Sequence, residues 1–168
     1  MAVAPRHSAA VAALALNGTE SVLEIGCGHG VAVREVLARL TSGTITALDR
    51  SEKMIEAVRA GNEAALTSGK LRTRAEALED ADFEDETFDA IFAVSVDLNL
   101  RLGTRWPAIL KQLLRPAGRI VLAFDPPPDT TKGYAFAGKS LDRLTAAGFR
   151  AALLPAHGNV TIIRADLA

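Results

Sequence analysis

Hydrophobic and polar positions divide this chain into two kinds of segment. Short apolar runs bounded by glycine or charged residues are typical of buried strands, and the longer stretches between them have the apolar spacing of amphipathic helices. The pattern predicts strands at 22–25, 44–48, 71–74, 88–94, 118–124, 149–154 and 159–164, and helices at 6–16, 30–41, 51–66, 104–114 and 139–147. Strands that alternate with helices favour a parallel sheet with helices on both faces.

Turn residues set the limits of several of these elements. Ser51 is a good N-cap for the helix that follows it, and Gly43, Gly69 and Gly148 stand where helices are expected to end. The segment 155–159 is too short for a crossover helix, so the last two strands are expected to form an antiparallel hairpin. The predicted fold class is α/β: a doubly wound, seven-stranded mixed sheet in a three-layer αβα arrangement, with the last strand antiparallel.

The first predicted strand runs directly into three alternating glycines. The stretch reads Val22-Leu-Glu-Ile-Gly-Cys-Gly-His-Gly30, and a helix is expected to follow. Glycine at such a turn lets the backbone bend sharply and lets a ligand approach the main chain without meeting a Cβ atom. A nucleotide-like ligand is therefore the first hypothesis.

The spacing of the glycines separates two classes of ligand. A dinucleotide-binding loop has a third small residue one position later than here, where this chain has Val31. Glu24 lies at the end of the strand, where a carboxylate would repel a pyrophosphate and would suit a cation. The loop therefore favours a positively charged ligand over NAD.

Further segments extend the pattern along the chain. They are Thr44–Asp49, which ends in a carboxylate; Ser51–Glu56, at the start of a helix; Ala75–Leu78; Thr87–Val94; and Leu114–Leu122, which contains Arg-Pro-Ala-Gly. Together with the glycine loop, and in this order, these segments resemble the motifs of the class I S-adenosylmethionine-dependent methyltransferases. The resemblance spans Val22 to Phe124. It implies a Rossmann-like fold, S-adenosylmethionine as the cofactor, and in-line transfer of its sulfonium methyl group to an O, N, S or C nucleophile.

The resemblance also implies a set of cofactor-binding residues. Asp49 corresponds to the carboxylate that accepts hydrogen bonds from the ribose diol, and Glu24 to the acid near the methionine ammonium group. Where the family often has an acid for the adenine amino group, this chain has Thr73-Arg74, so Glu76 or the backbone of its neighbours is expected to substitute. The full set expected to bind the cofactor is Glu24, Gly26, Cys27, Gly28, Gly30, Asp49, Arg50, Met54, Ala75, Glu76, Ala77 and Ser95.

The loops after the fourth and fifth strands correspond to the part of the family that faces the methyl acceptor. We expect Asn99 and Arg101 on one side, and Tyr134 and Phe136 on the other, to bind the acceptor. Asp97 and His29 are the candidates for a general base. The chain lacks the Asn/Asp-Pro-Pro-aromatic sequence of methyltransferases that act on planar amino groups, so a small-molecule acceptor is expected rather than a nucleic-acid base.

Composition narrows the class of protein further. The length of 168 residues suits a single domain, 1–168, and the net charge of −1 gives no basic surface for nucleic acid. Cys27 is the only cysteine, which excludes an internal disulfide, and one cysteine with three histidines offers no metal-ligand spacing. No apolar run reaches the roughly 18 to 20 residues that a membrane-spanning helix needs. Neither a metal nor a membrane is therefore expected, and the cytoplasm is the expected location.

The segment 1–20 is expected to be helical. The cleft is expected to be covered by this segment, through its helix at 6–16, by a neighbouring subunit of a homodimer, or by the acceptor itself. Its apolar run 9–16 also imitates a signal peptide, which is the alternative interpretation.

Two other classes of function remain open. A protein with this cofactor pocket could bind S-adenosylmethionine without catalysis. The segment from Gly133 to Ser140 fits the pattern Gly-x-x-x-x-Gly-Lys-Ser, which would suit a small nucleotide-binding module if it formed a loop directly after a strand.

Overall fold

The computed structural model describes residues 4–126, 132–155 and 158–167, without the side chains of 132–134. The strands are β1 (Ser21–Ile25), β2 (Thr44–Asp49), β3 (Leu71–Ala75), β4 (Phe88–Val94), β5 (Leu114–Phe124), β6 (Phe149–Leu153) and β7 (Thr161–Leu167). The helices are α1 (Pro5–Ala13), α2 (Val31–Arg39), α3 (Glu52–Ala60), α4 (Glu63–Thr67), α5 (Leu98–Leu102), α6 (Trp106–Leu113) and α7 (Lys132–Ala146).

The strands form one seven-stranded sheet in the order β3-β2-β1-β4-β5-β7-β6. β7 is antiparallel to both of its neighbours, and the pairs among β1 to β5 are parallel. This confirms the predicted fold class and the predicted hairpin between the last two strands. Because the chain winds outward from β1 in one direction and from β4 in the other, the topological switch point lies between these two strands.

Each face of the sheet is covered by helices, which gives the three predicted layers. Residues of α1, α2 and α3 form one core with alternate residues of the strands, such as Val22, Phe92 and Val121. Residues of α5, α6 and α7 form the other core with the intervening positions, such as Leu23 and Ile91. The alternation follows from the two-residue period of a strand, which sends successive side chains to opposite faces.

Several predicted element boundaries are corrected by the structure. The single helix predicted at 51–66 is two helices, which are separated at Gly61 and Asn62. The predicted N-cap is confirmed, because the Ser51 side chain accepts a hydrogen bond from the Met54 amide. Helix α5 was not predicted; it is only five residues long and therefore too short to show an apolar period. Helix α7 begins at Lys132, seven residues before the predicted start at 139.

A buried ion pair between Glu20 and Arg119 joins the end of α1 to the sheet, near the amino ends of the parallel strands. Glu20 is 5% exposed and accepts hydrogen bonds from the Asn17 amide at 2.8 Å, the Gly18 amide at 3.0 Å and Arg119 at 3.1 Å. Arg119 also donates to the carbonyl oxygen of Leu14, just beyond the end of α1. Burial by itself would raise the pKa of Glu20, but the backbone and Arg119 hydrogen bonds outweigh burial and lower it.

Replacing Glu20 by Gln is expected to lower the free energy of unfolding by about 1–3 kcal/mol, the range for charged hydrogen bonds. Because the folded-state pKa of Glu20 is lowered, its contribution is present above the usual value of 4.5 and is lost as the pH falls through the folded-state pKa. Urea unfolding at neutral pH and at low pH measures both effects. The exposed Glu56→Gln is the control, and an equal loss in both variants would contradict a specific role for Glu20.

Candidate active site

The loop between β1 and α2 is built around its three glycines. Gly26, Gly28 and Gly30 have φ angles of +71°, +50° and +72°, a region that side chains other than glycine rarely adopt. The amides of Gly26 and Cys27 donate to the Leu48 carbonyl at 2.7 and 3.1 Å, which holds the loop against the end of β2. The three glycines therefore explain why the backbone of this loop can adopt positive φ angles.

Among the three glycines, Gly28 has open space beside its Cα atom. A Cβ atom built at Gly28 would meet no atom of the described residues within 4 Å. At Gly26 it would lie 2.5 Å from Val96 Cγ2, and at Gly30 it would lie 2.9 Å from Val58 Cγ2. Gly26 and Gly30 are therefore required for packing within the protein. The space beside Gly28 is open.

Asp49 links the ends of β1 and β2. Its Oδ2 accepts from the Gly28 amide and its Oδ1 from the Ser51 amide, both at 2.9 Å. A carboxylate has about four lone-pair sites, so both oxygens can still accept from a ligand hydroxyl. Arg50 is exposed beside it, and Met54 is half-buried in the first turn of α3.

Glu24 is the most unusual side chain of this region. It is 2% exposed, and its Oε2 has no hydrogen-bond partner in the part of the chain that the structure describes. Burial, and to a smaller degree the nearby Asp49 carboxylate, raises the pKa of Glu24 well above its usual value of 4.5. A buried acceptor without a partner is costly, so this position is suited to a ligand that brings a cation.

The Cys27 thiol is buried in the same loop. Burial raises its pKa, and the Glu24 and Asp49 carboxylates raise it further, so the thiol stays protonated at neutral pH. A protonated, buried thiol is a packing group and not a nucleophile.

A cleft of about 320 Å³ opens at the switch point, next to the glycine loop. Its volume is at the lower end of the range of small-molecule sites. The structure brings these predicted residues together around the cleft: Gly26, Asp49, Arg50, Glu76, Ala77, Ser95, Asp97 and Arg101. Ile25, Leu48, Leu78, Val96 and Leu100 add apolar surface to it.

Ser95, which follows β4, and the residues around the end of β3 have distinctive geometry. Ser95 has a φ angle of +58°, which is uncommon for a residue other than glycine, and its amide donates to the Ala123 carbonyl at 2.8 Å. Backbone strain of this kind is often concentrated at functional sites. Near the end of β3, Arg74 pairs with Glu76 and lies over the Phe83 ring at 4.6 Å, so Arg74 turns toward residues 82–83. Glu76 and Ala77 are left to line the cleft, and Ala75 ends the strand.

The two candidates for a general base have different surroundings. Asp97 lines the cleft and also caps α5, because its Oδ1 accepts from the Asn99 amide at 2.9 Å and the Leu100 amide at 3.1 Å. His29 is exposed on the glycine loop, where its carbonyl accepts from Arg34 at 3.2 Å. Asp97 thus has a structural role whether or not it takes part in chemistry.

The structure corrects two of the predicted acceptor contacts. Asn99 is only 9% exposed, and its side chain is used inside the protein: Nδ2 donates to Ser140 at 2.8 Å, and Oδ1 accepts from Trp106 at 3.1 Å and Arg143 at 2.7 Å. Phe136 is buried and stacks on Phe124. Both side chains face neighbouring helices or strands because α7 packs against α5 and the sheet. The side chain of Tyr134 lies outside the described residues.

The alternative phosphate-binding segment is also corrected. Residues from Gly133 to Ser140 lie inside α7 rather than in a loop after a strand, and Ser140 is fully buried against Asn99. A helix interior cannot present successive backbone amides to a phosphate, so the nucleotide-binding interpretation of this segment is wrong. In the described ranges, no group of three or more His, Cys, Asp and Glu side chains is arranged to hold a metal ion. No helix within those ranges is both long and apolar enough to cross a membrane.

Leu100 is the main feature of the cleft that the sequence analysis missed. It is 84% exposed, although leucine is apolar, and it stands on α5 at the rim of the cleft beside Arg101, which pairs with Glu79 at 3.7 Å. The signal was available in the order Leu98, Leu100, Leu102, since only two of the three leucines can face the core of a single helical turn.

The strand order, the antiparallel β7 and the glycine loop together define the Rossmann-like fold of class I methyltransferases. The model of a methyltransferase-domain family matches residues 22–118. The chain therefore belongs to this methyltransferase family, which confirms the resemblance found in its motifs and, at the level of the family, S-adenosylmethionine as the cofactor.

Known proteins similar to this chain agree with the assignment. The O-methyltransferase cnsE of Penicillium expansum is 26% identical over 104 residues, which are 62% of this chain and 37% of that protein. A SAM-dependent methyltransferase from Aquifex aeolicus has a TM-score of 0.78 at 16% identity, covering 96% of this chain and 89% of that one. A SAM-dependent O-methyltransferase from Thermotoga maritima has a TM-score of 0.78 at 14% identity, covering 100% of this chain and 67% of that one. At these identities the two structures show the fold alone.

Proposed function

We propose that this chain binds S-adenosylmethionine at the switch point between β1 and β4 and transfers its methyl group to a small-molecule acceptor in the adjoining cleft. The observation that carries the proposal is that a buried Glu24, whose Oε2 has no hydrogen-bond partner among the described residues, lies close in sequence to the open main chain at Gly28. A carboxylate without a partner next to free backbone suits a ligand that combines an ammonium group with a slender chain.

In this proposal, different residues bind different parts of the cofactor. Glu24 receives the ammonium group, the main chain at Gly28 lies along the aliphatic part, and Asp49 accepts hydrogen bonds from the ribose hydroxyls. Glu76, Ala77 and the apolar surface of Leu78 lie on the adenine side. When bound, S-adenosylmethionine supplies a methyl group already activated on a sulfonium. The protein is therefore required mainly to orient the acceptor and to keep water out.

Cleft size and charge support a small acceptor. The cleft volume of about 320 Å³ and its mixed lining of Ser95, Asp97, Arg101 and Leu100 suit a compact molecule with polar and apolar parts. The similar protein from Penicillium expansum is named an O-methyltransferase, which favours a hydroxyl acceptor. The homodimer, the lid and the cytoplasmic location expected from the sequence stay predictions.

Calorimetry tests the cofactor assignment directly. S-Adenosylmethionine and S-adenosylhomocysteine are expected to bind one site per chain, and NAD is expected to give no binding heat. Tight NAD binding without heat from either nucleoside would overturn the proposal. Incubation with methyl-labelled cofactor and a panel of small hydroxyl compounds separates an enzyme from a protein that binds the cofactor without catalysis.

Asp49→Ala is expected to weaken binding of S-adenosylhomocysteine by about 1.5–3 kcal/mol, the value of charged hydrogen bonds to the ribose. Asp49 also holds the amides of Gly28 and Ser51, so part of a loss could come from the loop. An analogue without the ribose hydroxyls separates the two effects. If the variant loses as much affinity for the analogue as for the natural ligand, Asp49 does not contact the ribose.

Two substitutions at Asp97 separate capping from chemistry. Asp97→Asn keeps a side-chain oxygen for the α5 amides, whereas Asp97→Ala removes the cap at a cost of about 1 kcal/mol. If Asp97 is a general base, both variants lose methyl transfer by roughly 10²-fold or more while S-adenosylhomocysteine affinity stays near wild type. Full turnover in Asp97→Asn would assign the residue a capping role only.

A further inference from the structure

The first turn of α1 lies near the carboxyl ends of the parallel strands, where the glycine loop also lies. Arg6 pairs with Asp125, just after the end of β5, at 3.5 Å, and Ser8 donates to Glu35 in α2 at 2.8 Å. The other end of α1 lies toward the amino ends of the parallel strands. There Arg119, at which β5 begins to pair with both β4 and β7 without interruption, donates to the Leu14 carbonyl. The helix is therefore antiparallel to β5, and its first turn lies between the end of that strand and α2.

α1 also covers the face of the sheet on which Glu24 lies. Ala10 and Val11 of α1 share a core with Val22 of β1 and Phe92 of β4. Glu24 follows Val22 by two residues and pairs in register with Phe92, so its side chain is on that face. The Glu24 side chain and α1 therefore lie on the same face of the sheet.

Three buried side-chain atoms within the described ranges lack a hydrogen-bond partner: Arg6 Nε, His7 Nδ1 and Glu24 Oε2. The Arg6–Asp125 pair uses the Nη1 atom and leaves Nε–H free to donate. Burial and the neighbouring Arg6 charge lower the pKa of His7, against smaller opposite effects of Glu35 and of a hydrogen bond with the Ala4 backbone. The ring is therefore neutral at neutral pH and can donate from Nδ1 in one tautomer. Buried groups of this kind are normally paired, which points to an external partner.

The chemistry of the three atoms is complementary to an amino acid zwitterion. Glu24 offers a carboxylate to an ammonium group, whereas Arg6 and His7 offer N–H donors to an anion. The N-terminal end of α1 adds a partial positive charge beside Arg6 and His7. This charge is not offset within the helix, because Ala4 provides no side-chain cap and the first turn contains no acidic residue.

We propose that Arg6 and His7 bind the α-carboxylate of the cofactor's methionine part, opposite Glu24, so that α1 is a wall of the cofactor site. This inference rests on the proposed function, since it assumes that S-adenosylmethionine is the ligand. It makes the N-terminal helix a determinant of ligand choice: nucleosides with a complete amino acid are retained, and those without a carboxylate bind less tightly.

The test compares two ligands in a mutational cycle. One is S-adenosylhomocysteine; the other is its decarboxylated counterpart, which keeps the adenosine, thioether and amine but has no carboxylate. Arg6→Met keeps the length of the side chain and removes the guanidinium. Asp125→Asn leaves the guanidinium and removes its charged neighbour, and Arg150→Met removes an exposed positive charge from β6, at the far edge of the sheet. Dissociation constants are measured by calorimetry, and folding is checked by thermal unfolding without ligand.

Arg6→Met is expected to weaken S-adenosylhomocysteine binding about tenfold, the lower end for a charged hydrogen bond, and to change binding of the decarboxylated ligand by less than about twofold. His7→Ala is expected to weaken S-adenosylhomocysteine binding by a smaller factor and also to leave binding of the decarboxylated ligand unchanged. The control variants Asp125→Asn and Arg150→Met are expected to bind both ligands as the wild type does. Equal losses for both ligands, an equal loss in Asp125→Asn, or no loss in Arg6→Met would overturn the inference. If wild-type protein binds neither ligand, the proposed function itself fails.

Discussion

Glu24→Gln is expected to stabilise the ligand-free protein and to weaken cofactor binding at the same time. The side chain is buried and its Oε2 has no partner among the described residues, so the wild-type carboxyl group destabilises the folded state. A neutral amide of the same shape removes the cost of burying a charge. We expect a gain of about 1–3 kcal/mol in the free energy of unfolding, the usual penalty of an unsatisfied buried group.

The pH dependence of this gain has a defined sign. Because the folded-state pKa of Glu24 is raised, the carboxyl group favours folding below its usual value of 4.5 and this contribution is lost as the pH rises toward the folded-state pKa. The difference in stability between Glu24→Gln and wild type should therefore be small in acid and grow toward neutral pH. Urea unfolding at several pH values measures it.

Binding is expected to change in the opposite direction. Loss of the charged partner for the ammonium group should weaken S-adenosylhomocysteine binding roughly 10- to 100-fold. Glu20→Gln is the control, since Glu20 is also buried but accepts hydrogen bonds on both carboxylate oxygens and lies near the amino ends of the parallel strands. It should lose stability and keep affinity. A Glu24→Gln variant that is less stable than wild type would show that Glu24 is satisfied within the protein.

Substitutions at two neighbouring glycines are expected to separate folding from binding. Gly28→Leu should fold, because a Cβ atom there meets no atom in the described part of the chain, and should lose only about 1–2 kcal/mol for its positive φ angle. Its side chain would occupy the space in which the ligand passes the loop, so cofactor binding should be abolished. Thermal unfolding and calorimetry on the same sample record the two outcomes.

Gly26→Ala should show the reverse order of effects. Its Cβ atom would lie 2.5 Å from Val96 Cγ2 and adopt a φ angle of +71°, which together should cost about 3 kcal/mol or more. Adding Val96→Ala in the same protein removes the clashing methyl group and should restore part of the stability. If Gly28→Leu retains wild-type affinity, the ligand does not pass the loop at this point.

The glycine loop could be predicted because its chemistry is local. Three alternating glycines, a preceding carboxylate and Asp49 at the end of the next strand follow one another in the sequence, and the parallel arrangement of the strands brings their ends together. The hairpin of β6 and β7 was predictable for the same reason, since five connecting residues leave no other arrangement. These features depend on backbone geometry and chain order, which a sequence expresses directly.

Asn99 shows where such reasoning fails. Its position after β4 is correct, but the direction of its side chain depends on Trp106 and Arg143, which come from two other helices. Helix α5 is only one turn and a half long and was not predicted, so the spacing of Leu98, Leu100 and Leu102 was not interpreted as helical. Leu100 was missed and Asn99 misplaced for this one reason.

The sequence by itself determined the fold class, the strand that carries the glycine loop and the family, because periodicity, turn residues and the order of motifs are properties of the chain. Only the tertiary structure decided which polar groups are left without partners. Arg6 and His7 precede Glu24 by 18 and 17 positions in the sequence. All three lie on one face of the sheet because α1 packs there beside α2, antiparallel to β5. Hydrogen-bond satisfaction depends on all neighbours in space at once, and no local pattern of residues encodes it.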